Sequence, residues 1–578
     1  MLQKRYQLLM LSFVVLLAYY PAIFGGLSIV DDQRMVEQYM STDVTVGSLF
    51  HASSQGPYYR PVALVTFGLD KLVANMDAGF MHTENILFHL INAVLVFFLM
   101  RQVLSERERD RSYLPLIAAL LFGLHPICTE SVDWISGRTD LVASLFILAC
   151  TVYLLKFRER LEKKYLLVAA VMLVLGSLTK EIAFAFLPGA LLLMSAVQPG
   201  DSAETGTLRL KYVKGTIAVL VVVVVLFVIA RLYHAGAIPY QLRITYLTIF
   251  NNPAHAFFVV LRAFAFYVKK LIVPYPLNFF IMEIDPLYQL VAVPLMLLCI
   301  YIAARRTVLS ALFIIGVFLM APAFLIVFKT IAWAPYAERF LYLSSAFFIV
   351  SAAGFVNALI KTVPRRTRIA AALVVLLIMG IMTFHRAVIW QQDRTLIADT
   401  VAKSPNSLDM RVMYGLLLTQ YRELDKAAEQ FVIAQTTPPL TPVYDARPDI
   451  YLAFVRHQQG RNVEALTLLD QVHARTGEGS IDALNMSIFI LSSQVHESRN
   501  GNEKDLLRRK LIHYNEQSLR LVRDGQTMYR LGVLYAEMGA REKAIDYFKH
   551  AGEVFADDDP YKGIAKRKAD KLLRSKLS

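Results

Sequence analysis

Two adjacent carboxylates, Asp31 and Asp32, are the first candidates for chemistry because they closely follow an apolar run. One carboxylate of such a pair could act as general base toward a hydroxyl while the other binds a divalent cation, or both could bind the cation. Carboxylates at a membrane surface are costly, which favours a functional interpretation. An isolated pair is more often a solvated helix cap, so the two residues alone predict a site only weakly.

The elements that position this pair are predicted to be membrane helices. Of the 578 residues, 56% are hydrophobic and 18% charged, and the mean hydropathy of +0.46 exceeds that of ordinary soluble domains. Apolar runs of about 15–22 residues recur from Leu8 to Phe384, and each must be helical because lipid offers no partner for backbone amides. The runs predict about eleven crossings, near residues 8–26, 85–100, 114–125, 140–155, 165–179, 182–197, 215–233, 287–303, 308–328, 340–360 and 369–384.

The charged segments between the runs predict the topology. Lys and Arg cluster on one side, which is cytoplasmic by the positive-inside rule, and this placement rather than a nucleic-acid partner accounts for the net charge of +14. An odd number of crossings puts the amino terminus in the cytoplasm and the Asp pair outside, in the periplasm, the extracellular space or a eukaryotic lumen. The stretch 256–273 would break this parity and is predicted to be interfacial or re-entrant. Met1–Gly26 has no clear cleavage site, so it is predicted to be an uncleaved first span.

A second domain is predicted over 385–578, on the outer side, where the chain becomes polar. Small and aromatic residues recur there at the spacing of tetratricopeptide repeats: Gly415, Ala427, Phe431, Ala434 and Pro439 in one copy, and Gly532, Tyr535, Ala544, Phe548 and Ala551 in another. A weaker copy starts near Arg447, and 481–520 is predicted to hold a degenerate fourth. The predicted fold class is therefore all-α, a polytopic bundle over 1–384 followed by a helical solenoid. Such arrays bind peptides or proteins in a groove, so this domain is predicted to recruit an acceptor or partner, or to act as a spacer.

Polar groups also gather at the predicted outer ends of the spans. They form six clusters: Tyr59–Pro61, His82–His89, His125–Glu130, Asp133–Asp140, Thr179–Glu181 and Ala337–Arg339. Cations at headgroup depth with apolar walls beneath them would suit a lipid phosphate. A single Arg or Lys is more often a snorkelling anchor, but six clusters on one side favour a ligand site.

The sixteen-residue block His125–Asp140 resembles the outer-loop signature of the transmembrane and tetratricopeptide-repeat-containing O-mannosyltransferases. Four further segments resemble the same family: Tyr59-Arg60-Pro61, Leu178–Glu181, Val273–Leu277 and Ala337–Leu343. The resemblance implies a GT-C-type membrane transferase whose first outer loop, residues 27–83, carries the catalytic acidic pair. It also implies a polyprenyl-phosphate-linked hexose, typically mannose, as donor and a protein Ser or Thr hydroxyl as acceptor. The short repeat tail departs from the eukaryotic members and indicates a bacterial relative.

On this hypothesis the site residues fall into three groups. Asp31 or Asp32, with Asp31 preferred, deprotonates the acceptor, and the pair could hold a divalent cation such as Mg²⁺ or Mn²⁺. The leaving phosphate needs positive charge, for which the candidates are Arg60, Arg138, Lys180 and Arg339. Sugar or acceptor hydroxyls need acceptor groups, for which the candidates are His125, Glu130, Asp133, Asp140, Glu181 and Glu338. The expected partners are the lipid-linked sugar, membrane lipid and an acceptor protein.

Three other functions compete with this hypothesis. A transporter would place ionisable groups near the mid-membrane and often repeats its halves, whereas here the charges sit at the outer ends of clean spans. A scaffold that merely displays the repeats needs one span. A transferase that glycosylates a lipid or an envelope polysaccharide shares every feature above, and residue spacing does not separate it from a protein glycosyltransferase.

Overall fold

The computed structural model describes most of the chain, namely residues 2–41, 60–109, 112–196, 207, 211–212, 214, 240–329, 334–439, 444–477 and 479–574. Within those ranges the regular secondary structure is helical, and the one extended contact is an isolated antiparallel bridge between Ile281 and Tyr336. The predicted all-α fold class is therefore confirmed. The chain divides into two compact units, Met1–Ser404 and Pro405–Ser578.

The first unit is a bundle of helices. Its α-helices are α1 (Leu2–Tyr19), α2 (Asp32–Ser41), α3 (Pro61–Ala74), α4 (Ala78–Val103), α5 (Glu106–Arg109), α6 (Leu114–Gly123), α7 (Thr129–Asp133), α8 (Arg138–Arg160), α9 (Lys163–Ser177), α10 (Ile182–Ser195), α11 (Tyr240–Asn251), α12 (Pro253–Ile272), α13 (Tyr288–Ala304), α14 (Val308–Leu319), α15 (Ala321–Ile326), α16 (Tyr342–Leu359), α17 (Arg365–Trp390) and α18 (Asp393–Lys403). Short 3₁₀ turns lie at Tyr20–Phe24, Pro126–Cys128, Ile135–Gly137 and Glu338–Leu341. Three of these turns join helices at the polar clusters, so they shape the candidate site.

Six described helical segments are long and apolar enough to cross a membrane: Lys4–Phe24, Ala78–Val103, Ile135–Arg160, Val308–Ile326, Glu338–Leu359 and Arg365–Trp390. A seventh crossing results if α6 and the bent segment Pro126–Asp133 form one broken span. The predicted count of eleven is not confirmed. Helices α10 and α13 are apolar but shorter, and α9, with 15 residues, covers only about 22 Å at 1.5 Å per residue. The predicted span 215–233 lies outside the described residues.

Close packing and buried polar contacts hold this bundle together. A Cβ atom on Gly189 of α10 would lie 2.4 Å from Cγ1 of Ile315 in α14, so the helices meet where a side chain is missing. His89 Nδ1 lies 2.7 Å from the hydroxyl oxygen of Tyr342, and Asn92 donates to the same oxygen at 3.0 Å. These buried polar residues are thus bonded to one another across α4 and α16.

The boundary between the units lies later in the chain than the predicted division at 384/385. That division falls inside α17, and the first unit continues through α18 to Ser404. Trp390, Leu396 and Ile397 are buried although they stand in polar surroundings along the sequence. The fall in hydropathy after Phe384 therefore marks the end of an apolar run and not the end of the folded unit.

The second unit consists of paired antiparallel helices. Its helices are α19 (Leu408–Gln420), α20 (Leu424–Thr436), α21 (Arg447–Gln458), α22 (Asn462–Thr476), α23 (Ile481–Glu497), α24 (Gly501–Leu521), α25 (Gly525–Glu537), α26 (Arg541–Val554) and α27 (Pro560–Arg574). A Cβ atom on Gly415 would lie 2.6 Å from the Phe431 ring, and one on Gly532 would lie 2.7 Å from the Phe548 ring. The same glycine-on-aromatic contact in the first and last helix pairs confirms the predicted repeat solenoid.

Candidate active site

Asp32, the first residue of α2, is buried and bound by the chain itself. One carboxylate oxygen accepts from the backbone amide of Ser136 at 3.0 Å and from its hydroxyl at 2.5 Å, and the other accepts from the amide of Ser28 at 3.2 Å. Only 1% of the residue is exposed. Burial raises the pKa of Asp32 to about 6, and the hydrogen bonds from Ser136 and Ser28 oppose that rise. Asp32 therefore fastens the 3₁₀ turn at Ile135–Gly137 to the segment before α2.

The turn that Asp32 holds depends on a glycine. A Cβ atom on Gly137 would lie 2.5 Å from the carbonyl oxygen of Ser131, a separation that real Cβ atoms do not tolerate. Glycine thus allows the chain to fold back between α7 and α8 and presents Ser136 to Asp32. This contact explains in physical terms why the glycine lies inside the predicted signature block.

Asp31 has the opposite environment although it is the neighbouring residue. Its side chain is exposed, and its carboxylate accepts no hydrogen bond from the described part of the chain. Partial dehydration by the surrounding atoms raises the pKa of Asp31 above its usual value, while the positive charges of Arg339 and Arg34 oppose the rise. Of the predicted catalytic pair, Asp31 is therefore the carboxylate with free oxygens.

Three predicted phosphate-binding cations lie within electrostatic range of one another. Dehydration lowers the pKa of Lys180, its partner Asp140 raises it, and the charges of Arg60 and Arg339 lower it further. Arg339 also acts on the carboxylate of Asp31. These electrostatic effects link Asp31 through Arg339 to Lys180 and Arg60, which are distant in sequence, and the four residues are called the Asp31 cluster below.

Each of these cations is paired with one of the carboxylates predicted to bind sugar or acceptor. Lys180 lies 2.6 Å from Asp140, and Arg60 lies 2.7 Å from Glu181. Arg339 donates to Glu130 from its guanidinium Nη1 and from its backbone amide, the latter at 2.9 Å. The carboxylates therefore orient the cations, which is a role that the sequence did not suggest.

Arg138 does not join this cluster. Its side chain is fully buried between α3 and α4, where it donates to Asp70 at 2.5 Å, to Asn85 at 2.9 Å and to the Met81 carbonyl at 3.1 Å. Its guanidinium also lies 4.6 Å from the centre of the Phe67 ring. In this geometry Arg138 joins helices and presents no donor to a ligand, so its predicted phosphate role is not supported. The prediction was based on a position at the outer end of a span, and such a position does not determine whether the side chain is exposed.

His125, Glu338 and Asp133 are buried as well. The His125 ring contacts the Leu271 carbonyl at 3.1 Å, and Glu338 pairs with Lys270 at 2.6 Å. Asp133 is 2% exposed, and neither of its oxygens has a hydrogen-bond partner among the described residues. These three predicted sugar or acceptor ligands are therefore buried in the protein interior.

The donor atoms present do not fit a divalent cation held by the Asp pair. Both oxygens of Asp32 already accept hydrogen bonds, which leaves Asp31 as the only carboxylate of the pair available to a ligand. Among the described residues, no group of three or more His, Cys, Asp or Glu side chains is arranged for metal binding. A protein-bound divalent ion usually needs several such oxygens.

Four residues that bind predicted site residues, or the segment that leads into Asp31, were missed at the sequence level. They are Asp70, Ser136, Lys270 and Asp393. Asp70 offered a signal, since it is the only acidic residue in the largely apolar helix α3. Ser136 lies inside the signature block, whereas Lys270 and Asp393 resembled ordinary charges at helix ends. Tyr59, from the first polar cluster, lies outside the described residues.

Comparison with known proteins places this site in context. No family model matches the chain. Mouse protein O-mannosyl-transferase TMTC3 is 37% identical over 91 residues, which are 16% of this chain and 9% of the relative. Human TMTC1 is 37% identical over 100 residues, or 17% and 10% of the two chains. Protein O-mannosyl-transferase F38B6.6 of Caenorhabditis elegans is 27% identical over 387 residues, or 64% and 52%.

Solved structures add little to these relatives. Yeast Tom70 and the APC/C hetero-tetramer Cut9–Hcn1 each share 12% identity with the chain, and the alignments cover 81% and 93% of it and 94% of each of those chains, with TM-scores of 0.20 and 0.19. These scores are too low to indicate a shared fold. The alignments with the curated relatives span about half of their length or less. By sequence, the chain is similar to the TMTC protein O-mannosyltransferases over these segments.

Proposed function

We propose that this protein is an integral-membrane glycosyltransferase that moves a hexose, in the first instance mannose, from a polyprenyl-phosphate carrier to Ser or Thr hydroxyls of proteins. The observation that carries the proposal is the exposed carboxylate of Asp31, on which the charge of Arg339 acts, while Arg339 and Arg60 in turn act on Lys180. A base within electrostatic range of an oriented cation suits a reaction that takes a proton from a hydroxyl and expels a phosphate. The named activity of the homologues supports the same reaction class.

Asp31 is the general base of the proposed reaction. Its carboxylate removes the proton from the acceptor hydroxyl, and the hydroxyl oxygen attacks the anomeric carbon of the sugar. The bond from that carbon to the phosphate oxygen breaks, and its electron pair leaves with the polyprenyl phosphate. A single displacement of this kind inverts the anomeric configuration. The raised pKa of Asp31 makes it a stronger base than an ordinary surface carboxylate.

Arg339 is the best placed group for the departing phosphate. It gives Nη1 and its backbone amide to Glu130, while Nε and Nη2 donate to no described residue. A guanidinium has five N–H donors, so Arg339 keeps some of them for a phosphate oxygen. Its plane lies 5.1 Å from the centre of the Trp134 ring and 4.9 Å from that of Phe340, which limits its motion. An oriented cation stabilises developing charge without reorganising.

We also propose on which side of the membrane the site lies and how the acceptor protein is recruited. The Asp31 cluster and the repeat unit face the outer side of the membrane, with the amino terminus in the cytoplasm. The solenoid recruits the acceptor protein, as other repeat arrays bind extended peptides. No divalent cation takes part in the proposed reaction, since both oxygens of Asp32 accept hydrogen bonds from the protein.

The test compares glycans on envelope proteins, lipids and polysaccharides in cells with and without the gene. Loss of a hexose from specific Ser or Thr peptides, restored by the wild-type gene, is the expected result. Loss confined to a lipid or a polysaccharide would contradict the protein acceptor. Loss from no fraction would contradict the transferase itself. Mass spectrometry of tryptic peptides and of extracted lipids provides both readouts.

A further inference from the structure

The segment that carries Asp31 is held from one side by the first turn of α18. The Ser28 hydroxyl donates to one oxygen of Asp393 at 3.1 Å, and the Ile29 amide donates to the other at 2.9 Å. We propose that Asp393 is a positioning residue that fixes the backbone leading into Asp31. The inference rests on the proposed role of Asp31 as general base.

Asp31 lies between two such attachments. Upstream, Asp393 binds Ser28 and Ile29, and downstream, Asp32 binds Ser136. Between them the backbone turns tightly, since the Asp32 amide donates to the Ser28 carbonyl at 3.1 Å. An exposed side chain on a backbone fixed at both ends keeps its position without contacts of its own. This arrangement explains how Asp31 stays oriented while its oxygens remain free.

Helix α18 is a suitable anchor because it is itself firmly fixed. Leu396, Ile397 and Thr400 are at most 1% exposed and pack into the first unit. Just before it, at the end of α17, the Gln391 side chain donates to the Pro21 carbonyl at 2.7 Å. At its end, the Ser404 hydroxyl donates to the Phe280 carbonyl at 2.6 Å. The helix thus ties the first segment of the unit to a later one.

A simpler explanation is that Asp393 merely stabilises the start of α18 by its charge. An acidic residue in the first turn of a helix is common and favourable. A capping carboxylate would accept from amides of its own helix, whereas both oxygens of Asp393 accept from the segment before Asp31. The geometry therefore favours a positioning role over a local one.

Loss of this attachment is expected to lower the rate of transfer and leave donor binding unchanged. Asp393→Ala removes both acceptors, and a misplacement of Asp31 by about 1 Å would lower kcat roughly tenfold to a hundredfold. KM for the lipid-linked mannose stays unchanged because Arg339 and Lys180 are untouched. Asp393→Asn has a smaller effect, since its one amide oxygen still accepts from one of the two donors.

The experiment measures mannose transfer to an acceptor peptide by the full-length protein in nanodiscs, with the thermal unfolding temperature recorded for every variant. The variants are Asp393→Ala, Asp393→Asn and Ser28→Ala, with Asp482→Ala as the matched control. Asp482 also lies in the first turn of a helix, and it is exposed. The control should match the wild type in both measurements. Ser28→Ala removes the hydroxyl that donates to Asp393 and leaves Asp393 itself in place. This variant therefore tests the same attachment if Asp393→Ala does not fold.

A double variant separates positioning from general structural damage. If Asp393 acts through Asp31, adding Asp393→Ala to Asp31→Asn causes no further loss of residual transfer, measured over long incubations. Wild-type kcat in Asp393→Ala and Ser28→Ala would overturn the inference, as would losses that multiply in the double variant. Full activity of Asp31→Asn would overturn the base assignment and this inference together. Loss in Asp31→Asn with none in Asp393→Ala would overturn the inference alone.

Discussion

In the first unit, the Lys270–Glu338 pair has both side chains 3% exposed, whereas in the repeat unit the Lys426–Glu423 pair leaves the lysine 67% exposed. The contrast extends to the packing: buried charges link helix ends in the first unit, and small and aromatic residues fill the repeat unit. A buried ion pair is costly to leave half-broken, while an exposed pair is worth little. Buried charges therefore carry structure in the first unit, and among the candidate site carboxylates the exposed Asp31 is the exception.

The largest effect, a loss of activity, is expected for Asp31. Asp31→Asn should lower mannose transfer by about 10²- to 10⁴-fold, the usual contribution of a general base, because the amide cannot take the proton. The unfolding temperature should not change, since no described residue donates to the Asp31 carboxylate. Transfer assays and thermal unfolding of the purified protein measure the two quantities. Retained activity would show that Asp31 is not the general base. A large loss of stability would show that Asp31 stabilises the fold, as the buried charges of the first unit do.

A slightly smaller effect is expected for the buried pair. Glu338→Gln leaves the Lys270 ammonium buried without a charged partner, which should lower the free energy of unfolding by about 3–5 kcal/mol. The matched change in the repeat unit, Lys426→Gln, should cost less than about 1 kcal/mol. Denaturant unfolding of both variants tests the comparison directly. Equal costs for the two variants would mean that burial does not separate the units.

A smaller effect is expected on the pH dependence of folding stability. The pKa of Asp32 is raised from 3.8 to about 6 in the folded state, so the folded protein binds the proton more tightly than the unfolded chain. Folded stability should therefore fall as pH rises from about 4 to 6, by roughly 3 kcal/mol from this group. Asp32→Asn should remove that dependence. The difference in unfolding free energy between the wild type and the variant, followed across this window, measures it.

The repeat unit should respond to pH in the opposite direction. Burial raises the pKa of both Asp524 and Asp445, but hydrogen bonds from Thr527 and Gln526 bring the pKa of Asp524 below its ordinary value, and Arg447 does the same for Asp445. A lowered pKa contributes stability above the ordinary value that is lost as pH falls through the folded value. Asp524→Asn is the matched variant for Asp32→Asn. A common sign for the two slopes would contradict the distinction between the units.

Periodicity and residue type were sufficient to predict the repeat solenoid, because the glycine-on-aromatic contacts of Gly415 and Gly532 are local and recur at fixed spacing. Periodicity and residue type also led to the roles predicted for Asp31, Lys180 and Arg339, which stay predictions. They failed for Arg138, since burial depends on the unpredicted partner Asp70 in another helix. The topology of a bundle indicates which side a residue lies on, but not whether a neighbouring helix covers it.

The hydrogen bonds that Asp393 accepts have a consequence for biosynthesis. They connect it to Ser28 and Ile29 across 365 and 364 residues of chain, so nearly the whole first unit must be synthesised before they can form. A nascent chain that has inserted every helix up to α17 still lacks the anchor for its Asp31 segment. The attachment of the Asp31 segment therefore forms only after α18 has left the ribosome. A truncated translation product that lacks α18 carries Asp31 without this attachment.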